Sequence, residues 1–361
     1  MTSSELDRPV APSGPTGGAP EPTDAERAAA AAMLPLISGM HISRAVYLVA
    51  ALGIADRLAE GPKTAADLAA VTGTHPPSLY RVLRLLAALD VLTEHPGQAF
   101  SLTLTGQRLR GDVPASVRSW AMLVDCIGGV RAFEPFLDTV RTGTPGVDLA
   151  HGMDTFSYLA AHPDSVRGFQ AAMSERTAAF AGSVAARYDF TTMHTVADIG
   201  GGKGTLLAAV LRQHEHLRGV LFDLPAVVAD AMPVLRAAGV ADRCDLVGGD
   251  FFTTVPPGAD GYLLANVLHD WEDTRAAHIL ANCRQAMPEH GRVLIIERLI
   301  PDDPHAAIPV LLSDLNMLVF TGGQERTTTE YRQILTNANL TLTTVKPVAP
   351  PYGVIEARTL L

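Results

Sequence analysis

Apolar positions recur at two different spacings along this chain, and the change falls near residue 195. Before that point the spacing is helical. Leu36, Met40, Ile42, Val46, Val49, Leu52 and Ile54 form one apolar face, which predicts two helices between Asp24 and Glu60. Thr64 to Gly73 reads as a short helix, capped by Thr64 and stopped by Gly73. Pro76 to Leu89 follows as a second helix, with Leu79, Val82, Leu83, Leu86 and Leu89 along one side. Phe100 to Leu104 alternates as a small strand. Helix, turn, helix and hairpin together form a winged-helix pattern. The helical spacing continues from Val113 to about Ala186, where Trp120, Met122, Phe133, Phe136, Phe156, Tyr158, Phe169, Met173 and Phe180 concentrate. Such side chains build a core, and they also wall pockets for flat apolar ligands.

Beyond Thr195 short apolar strands alternate with amphipathic helices. Strands are expected near Thr195–Ile199, Gly219–Asp223, Cys244–Val247, Gly261–Val267 and Val293–Leu299. Helices are expected near Thr205–His214, Ala226–Ala238, Asp273–Met287 and Thr328–Ala338, with final strands near Leu340–Val345 and Tyr352–Ala357. This alternation predicts an α/β fold of Rossmann-like type, a mostly parallel sheet with helices on both faces. The expected organisation is a flexible tail over residues 1–24, a helical and winged-helix domain over 25–182, and an α/β domain over 183–361.

Composition narrows the function classes. Hydrophobic residues make up 47% of the 361, enough for a large core. The net charge of −10 argues against a nucleic-acid binder and against an anionic membrane surface. Between residues 61 and 90 the basic residues are Lys63, Arg81 and Arg84, too few for a helix that tracks phosphates. The apolar stretch from Met33 to Leu58 is interrupted by His41, Arg44 and Asp56, so it is expected to be a buried amphipathic helix and not a membrane span. Cys126, Cys244 and Cys283 form no CxxC pair, which places the chain in a reducing cytoplasm. The histidines show no metal-ligand spacing, so no metal is expected.

The expected strands end in polar groups. The first runs into Asp198-Ile-Gly-Gly-Gly-Lys-Gly204, the second ends in Asp223, and Asp250 follows the third. The fourth ends in His269-Asp270 and the fifth in Glu297. Parallel strands bring these ends to one edge, so the groups converge on one cleft. The glycine turn fits neither GxGxxG, since Thr205 takes the last place, nor a P-loop, since Gly204 follows Lys203. Asp223 stands where an acid binds a ribose diol. A ribose without pyrophosphate points to a nucleoside-type cofactor.

Five ordered motifs carry a resemblance. They are Asp198–Gly204, Leu221-Phe-Asp-Leu-Pro225, Gly249-Asp-Phe-Phe252, Val267-Leu-His-Asp-Trp-Glu-Asp273 and Gly322-Gly-Gln-Glu-Arg-Thr327. With them the chain, from about residue 25 onward, resembles the S-adenosyl-L-methionine-dependent O-methyltransferases of the plant caffeate/isoflavone type and their bacterial natural-product relatives. The resemblance implies the following roles. Gly200, Gly202 and Gly204 border the methionine part of the cofactor, Asp223 holds the ribose, and Asp250 and Phe251 flank the adenine. His269 is the general base, with Glu297 and Glu325 orienting and polarising it. Asp270, Phe169, Met173, Asn316 and Met317 face the substrate. Ala265 departs from the pattern, because the plant enzymes carry a Lys near the adenine at that place. The implied partners are a small aromatic substrate and a second copy in an intertwined homodimer, with S-adenosyl-L-homocysteine as the spent cofactor. Two alternatives remain open at this level. One is a relative that binds the cofactor but catalyses hydroxylation, decarboxylation or a pericyclic step. The other is a winged-helix regulator that senses the cofactor.

Overall fold

The structure, a computed structural model, describes residues 21–359. Most of the expected tail, residues 1–20, lies outside them. The first helix begins at Asp24, where Thr23 caps it and Glu26 closes a capping box. The expected pair of helices up to Glu60 is three: Asp24–Ile37, Gly39–Ala51 and Ile54–Arg57.

The winged-helix expectation holds. Lys63–Thr64 (β1), Leu92–His95 (β2) and Ala99–Leu102 (β3) form an antiparallel sheet in the order β1-β3-β2. Helices Ala65–Thr72 and Pro76–Ala88 pack on it through Leu68, Leu79, Leu83, Leu86 and Phe100. Thr64 caps the first helix and left-handed Gly73 ends it. Within the single chain the Met33–Leu58 stretch is only partly buried. Val49, Ala50, Ile54 and Leu58 are buried, but Met33, Leu34, Leu36, Ile37 and Met40 are all more than half exposed. By length and composition alone, Asp24–Ala51 is apolar enough to cross a membrane. It is two helices that meet at Ser38.

Seven strands form the large sheet: Thr195–Ile199 (β4), Arg218–Asp223 (β5), Cys244–Gly248 (β6), Gly261–Ala265 (β7), Arg292–Arg298 (β8), Leu340–Ala349 (β9) and Tyr352–Thr359 (β10). Their order is β6-β5-β4-β7-β8-β10-β9. The first five run parallel, and β10 pairs antiparallel with β8 and β9. One face is covered by Leu206, Leu207, Val210 and Leu211 with Phe180, Ala181 and Val184. The other is covered by Ile279, Leu280, Tyr331, Ile334 and Leu335. Residues 182 and 183 lie inside one continuous helix, Pro163–Arg187, whose last turns belong to the sheet's core.

Two further expected elements differ. The Ala226–Ala238 helix is broken into Pro225–Val228 and Met232–Ala237, because Pro233 has no N–H to donate to the carbonyl four residues earlier and its ring crowds that carbonyl, so it is accommodated in the first turn of a new helix. The fourth strand stops at Ala265 rather than Val267. Asn266 turns left-handed (φ 53°) and puts His269 on a short 3₁₀ turn, Leu268–Asp270. Helix Pro304–Phe320 carries Asn316 and Met317 in its last turns, and its Ser313 hydroxyl meets Arg298 at the end of β8.

Candidate active site

The strand order reverses between β4 and β7, and the site lies beyond the carboxyl ends of these two strands. Chain direction dictates this: β5 and β6 are laid to one side of β4, and β7 and β8 to the other. The glycine turn leaves β4 here. Gly200 has φ +68°, and a Cβ on it would stand 2.9 Å from a methyl of Val267 and 3.6 Å from the Phe251 ring. Three chain segments therefore meet at one glycine. The Asp223 carboxylate accepts from Gly202 N–H at 2.8 Å and from Leu224 N–H at 2.7 Å. Burial raises the Asp223 carboxyl, against the pull of those two amides. Asp250 is exposed, and its carboxylate accepts from Phe252 N–H at 2.8 Å. Gly200, Gly202, Gly204, Asp223 and Phe251 are thus brought together, with Asp250 at the rim.

Asp198, left out of the cofactor set above, lies beneath the turn. It is 1% exposed, and neither carboxylate oxygen has a hydrogen-bond partner. Burial, and then the charge of Asp223, push it up to about 7. An acidic pair under open backbone suits a cationic cofactor. The signal in sequence is a carboxylate inside an otherwise apolar strand.

The second group surrounds His269, which is 2% exposed. Its Nδ1 lies 3.1 Å from Glu325 Oε1 and 3.7 Å from Glu297 Oε2. Its Nε2 lies 3.7 Å from Asp270 Oδ1. Glu297 Oε1 accepts from the backbone N–H groups of Val267 and Leu268 at 3.0 and 3.1 Å, so the strand end of β8 holds the turn that carries His269. Glu325 Oε1 also accepts from the Ser313 hydroxyl at 2.7 Å, and Arg298 donates to that hydroxyl at 2.6 Å. Fully buried Arg326 donates to the carbonyls of Leu268 and Trp271 at 3.0 and 2.8 Å. Gly323 lies so close to the His269 backbone that a Cβ there would stand 2.0 Å from its carbonyl oxygen.

Burial by itself would lower the His269 pKa, but Glu297, Glu325 and Asp270 together raise it above the ordinary value. Burial opposes the Glu325 charge too. The His269 ring, Arg176 and Ser313 outweigh it and hold that carboxyl down at about 2. Burial pushes Glu297 and Asp270 up. Ligand atoms of His269, Glu297 and Glu325 lie within 4.8 Å of one another, close enough for a cation. Their hydrogen bonds describe a different device. An imidazole anchored through Nδ1 to a carboxylate keeps Nε2 free to take a proton.

Phe169 and Met173 pack with Trp120, Leu123 and Phe320. One turn further along the same helix face, Arg176 reaches Asn266 Oδ1 at 2.5 Å and the Tyr352 hydroxyl at 2.8 Å, and its Nη2 is 3.5 Å from His269 Nδ1. This contact ties the Phe169–Met173 wall to the histidine. Asn316 and Met317 follow Ser313 by one turn, and their side chains touch none of the other site residues by hydrogen bond. Arg176, Arg298, Ser313 and Asn266 were missed from sequence. The signal for Arg176 was its place on the Phe169–Met173 face, and for Arg298 its place directly after Glu297.

Residues 133–341 match the family model of the O-methyltransferase domain, and residues 34–110 match that of the O-methyltransferase dimerisation domain. The chain belongs to the O-methyltransferase family. Its relatives include phenazine O-methyltransferase PhzM of Lysobacter antibioticus, 41% identical over 90% of this chain and 95% of that one. The solved mitomycin 7-O-methyltransferase MmcR superposes with a TM-score of 0.88 at 37% identity, covering 94% of this chain and all of the other. The O-methyltransferase NcsB1 of neocarzinostatin biosynthesis superposes with a TM-score of 0.78 at 34% identity, over 88% of this chain and 96% of that one. NcsB1 was solved with S-adenosyl-L-homocysteine and 1,4-dihydroxy-2-naphthoic acid. This chain is an S-adenosyl-L-methionine-dependent O-methyltransferase, and the family's dimerisation domain occupies its first third.

Proposed function

We propose that the enzyme methylates a phenolic or enolic hydroxyl of a small aromatic metabolite, with His269 as the general base. The observation that carries this reading is the 3.1 Å contact between His269 Nδ1 and Glu325, with Nε2 on the opposite side of the ring. The cofactor supplies an electrophilic methyl group on a sulfonium. The acceptor's oxygen is the weak partner, since a phenol near pKa ~10 is protonated at neutral pH. Nε2 takes that proton as the oxygen attacks, and Glu325 with Glu297 stabilises the imidazolium. Asp223 and Asp198 hold the cofactor's polar groups, Gly200, Gly202 and Gly204 border its amino-acid part, and Asp250 and Phe251 flank its base. Phe169, Met173, Asn316 and Met317 enclose the acceptor, and Asp270 borders the methylated hydroxyl. Alignment of donor and acceptor by this enclosure provides much of the rate. A hydroxylation or decarboxylation needs no such base, so the His269–Glu325 pair supports methyl transfer.

The working form is a homodimer. Its support is the apolar, exposed face of helix Asp24–Ile37 together with the dimerisation-domain match. A mass-spectrometric screen with labelled S-adenosyl-L-methionine and aromatic polyketides tests the activity. Labelled product from the wild-type enzyme and its loss in His269→Ala are expected. Equal product from both refutes the base assignment.

A further inference from the structure

Two guanidinium groups beside the candidate base have no carboxylate partner. Among the described residues, no carboxylate oxygen comes within 4.0 Å of Arg176 or Arg298. Their partners include no carboxylate: the Tyr352 hydroxyl, Asn266 Oδ1 and, at 3.5 Å, His269 Nδ1 for Arg176, and the Ser313 hydroxyl for Arg298. Elsewhere in the chain, Arg44, Arg118 and Arg326 each reach an aspartate. Arg176 Nη1, together with Nε and Nη2 of Arg298, makes no hydrogen bond among the described residues, and none of these nitrogens is sealed from solvent. Both side chains are half-buried. Their guanidinium carbons lie 5.8 and 5.6 Å from the centre of the Trp120 ring, so the two cations flank one aromatic surface. The charges of Glu325 and Glu297 act on Arg176, and that of Glu325 on Arg298, only from a distance, while burial and the charge of Arg176 work against Arg298; an anion held directly between the two cations relieves that cost.

We propose that Arg176 and Arg298 form a carboxylate-binding pair, and that the acceptor is a hydroxyaromatic carboxylic acid. Its carboxylate lies between the two guanidiniums beside Trp120, and its hydroxyl faces His269 Nε2. This rests on the methyl-transfer reading above. The same chemistry has a second source, the carboxylate on the cofactor's amino-acid part, and the experiment separates the two.

The measurement is calorimetric titration of enzyme saturated with S-adenosyl-L-homocysteine, using 3-hydroxy-2-naphthoic acid and 2-naphthol. The wild-type enzyme should bind the naphthoate at least about tenfold more tightly than the naphthol, as expected for charge-assisted hydrogen bonds. Arg176→Gln and Arg298→Gln should each cut that ratio by about tenfold, and Arg298→Lys should keep part of it. A folding defect weakens both ligands and leaves the ratio unchanged, so the ratio is decisive. Equal affinity for the two compounds, binding of neither up to millimolar concentration, or an unchanged ratio in all three variants overturns the proposal. So does a tenfold loss of S-adenosyl-L-homocysteine affinity with the ratio preserved, which assigns the pair to the cofactor. No methyl group moves in these titrations. A naphthoate preference without any methylated product therefore counts against the methyl-transfer reading alone.

Discussion

The two ring nitrogens of His269 have different neighbours, and that asymmetry makes the chemistry testable. Replacing His269 by Ala should lower kcat by about 10²–10⁴-fold with a neutral phenol, and much less with a phenol already ionised at the assay pH. Both rates measured on one variant separate lost base from lost fold. The wild-type rate should rise with pH as the ring loses its proton and then flatten. Because three carboxylates raise the ring's pKa, the midpoint of that rise should lie above 6.5. Glu325→Gln removes one of those anions, so its pH–rate curve should shift downward in pH while its plateau falls. A midpoint unmoved by this change would show that Glu325 does not govern the ring. At the other end of the cleft, Asp223→Ala should weaken S-adenosyl-L-methionine binding by about 1.5–3 kcal/mol, the worth of hydrogen bonds to a charged group. Unchanged affinity by calorimetry would remove Asp223 from the cofactor set.

At the scale of elements, the site depends on how loops lie on loops. The Gly322-Gly323 loop presses its backbone onto the turn that carries His269, and Gln324 N–H donates to the His269 carbonyl at 2.9 Å. A Cβ at position 323 would meet that carbonyl at 2.0 Å, so the two segments must part. Gly323→Ala should therefore abolish most activity and lower Tm. In contrast, Thr64→Ala removes a capping box far from the cleft. It should cost about 1 kcal/mol of stability and leave kcat unchanged. Together they distinguish damage to the site from damage to the fold. Most elements were legible from spacing alone: β4 and the capped helix Ala65–Thr72 match their expected bounds within a residue. Two were not. A single helix was expected where Pro233 splits the segment in two, since the apolar period continues through the break. The strand after Gly261 was drawn to Val267 because its apolar run continues, while Asn266 turns the chain away at φ 53°.

For the whole molecule, the exposed apolar face of helix Asp24–Ile37 is an unmet demand. Leu36 and Ile37 are 75% and 70% exposed in one chain, and no residue of that helix is buried. Apolar surface of this kind is covered by a partner in a stable protein. Light scattering at micromolar concentration should give the mass of two chains, and the mass of one would refute the homodimer. Stability should also depend on the buried site. Glu325 drops from an ordinary 4.5 to about 2 on folding, so its ionised form contributes stability above pH 4.5 that is lost as pH falls toward 2. His269 has the opposite sign: its raised pKa contributes stability at low pH that is lost as pH rises through the folded value. Calorimetric Tm values across pH should show a shallower acid-side fall in Glu325→Gln than in the wild-type chain.

The sequence by itself determined the layered sheet, the winged-helix module, the glycine turn and the residues His269, Glu297 and Glu325, because period and motif are local properties. Tertiary structure alone decided which atoms meet. Asp198 stands unpaired under the turn because the strands around it are apolar, and Ser313 links Arg298 to Glu325 because helix Pro304–Phe320 crosses the end of β8. Arg176 reaches His269 from 93 residues away only because the Pro163–Arg187 helix packs against both halves of the molecule. Pairings at such separation leave no period in the chain, since the free energy that selects them comes from packing and burial and not from neighbours in sequence.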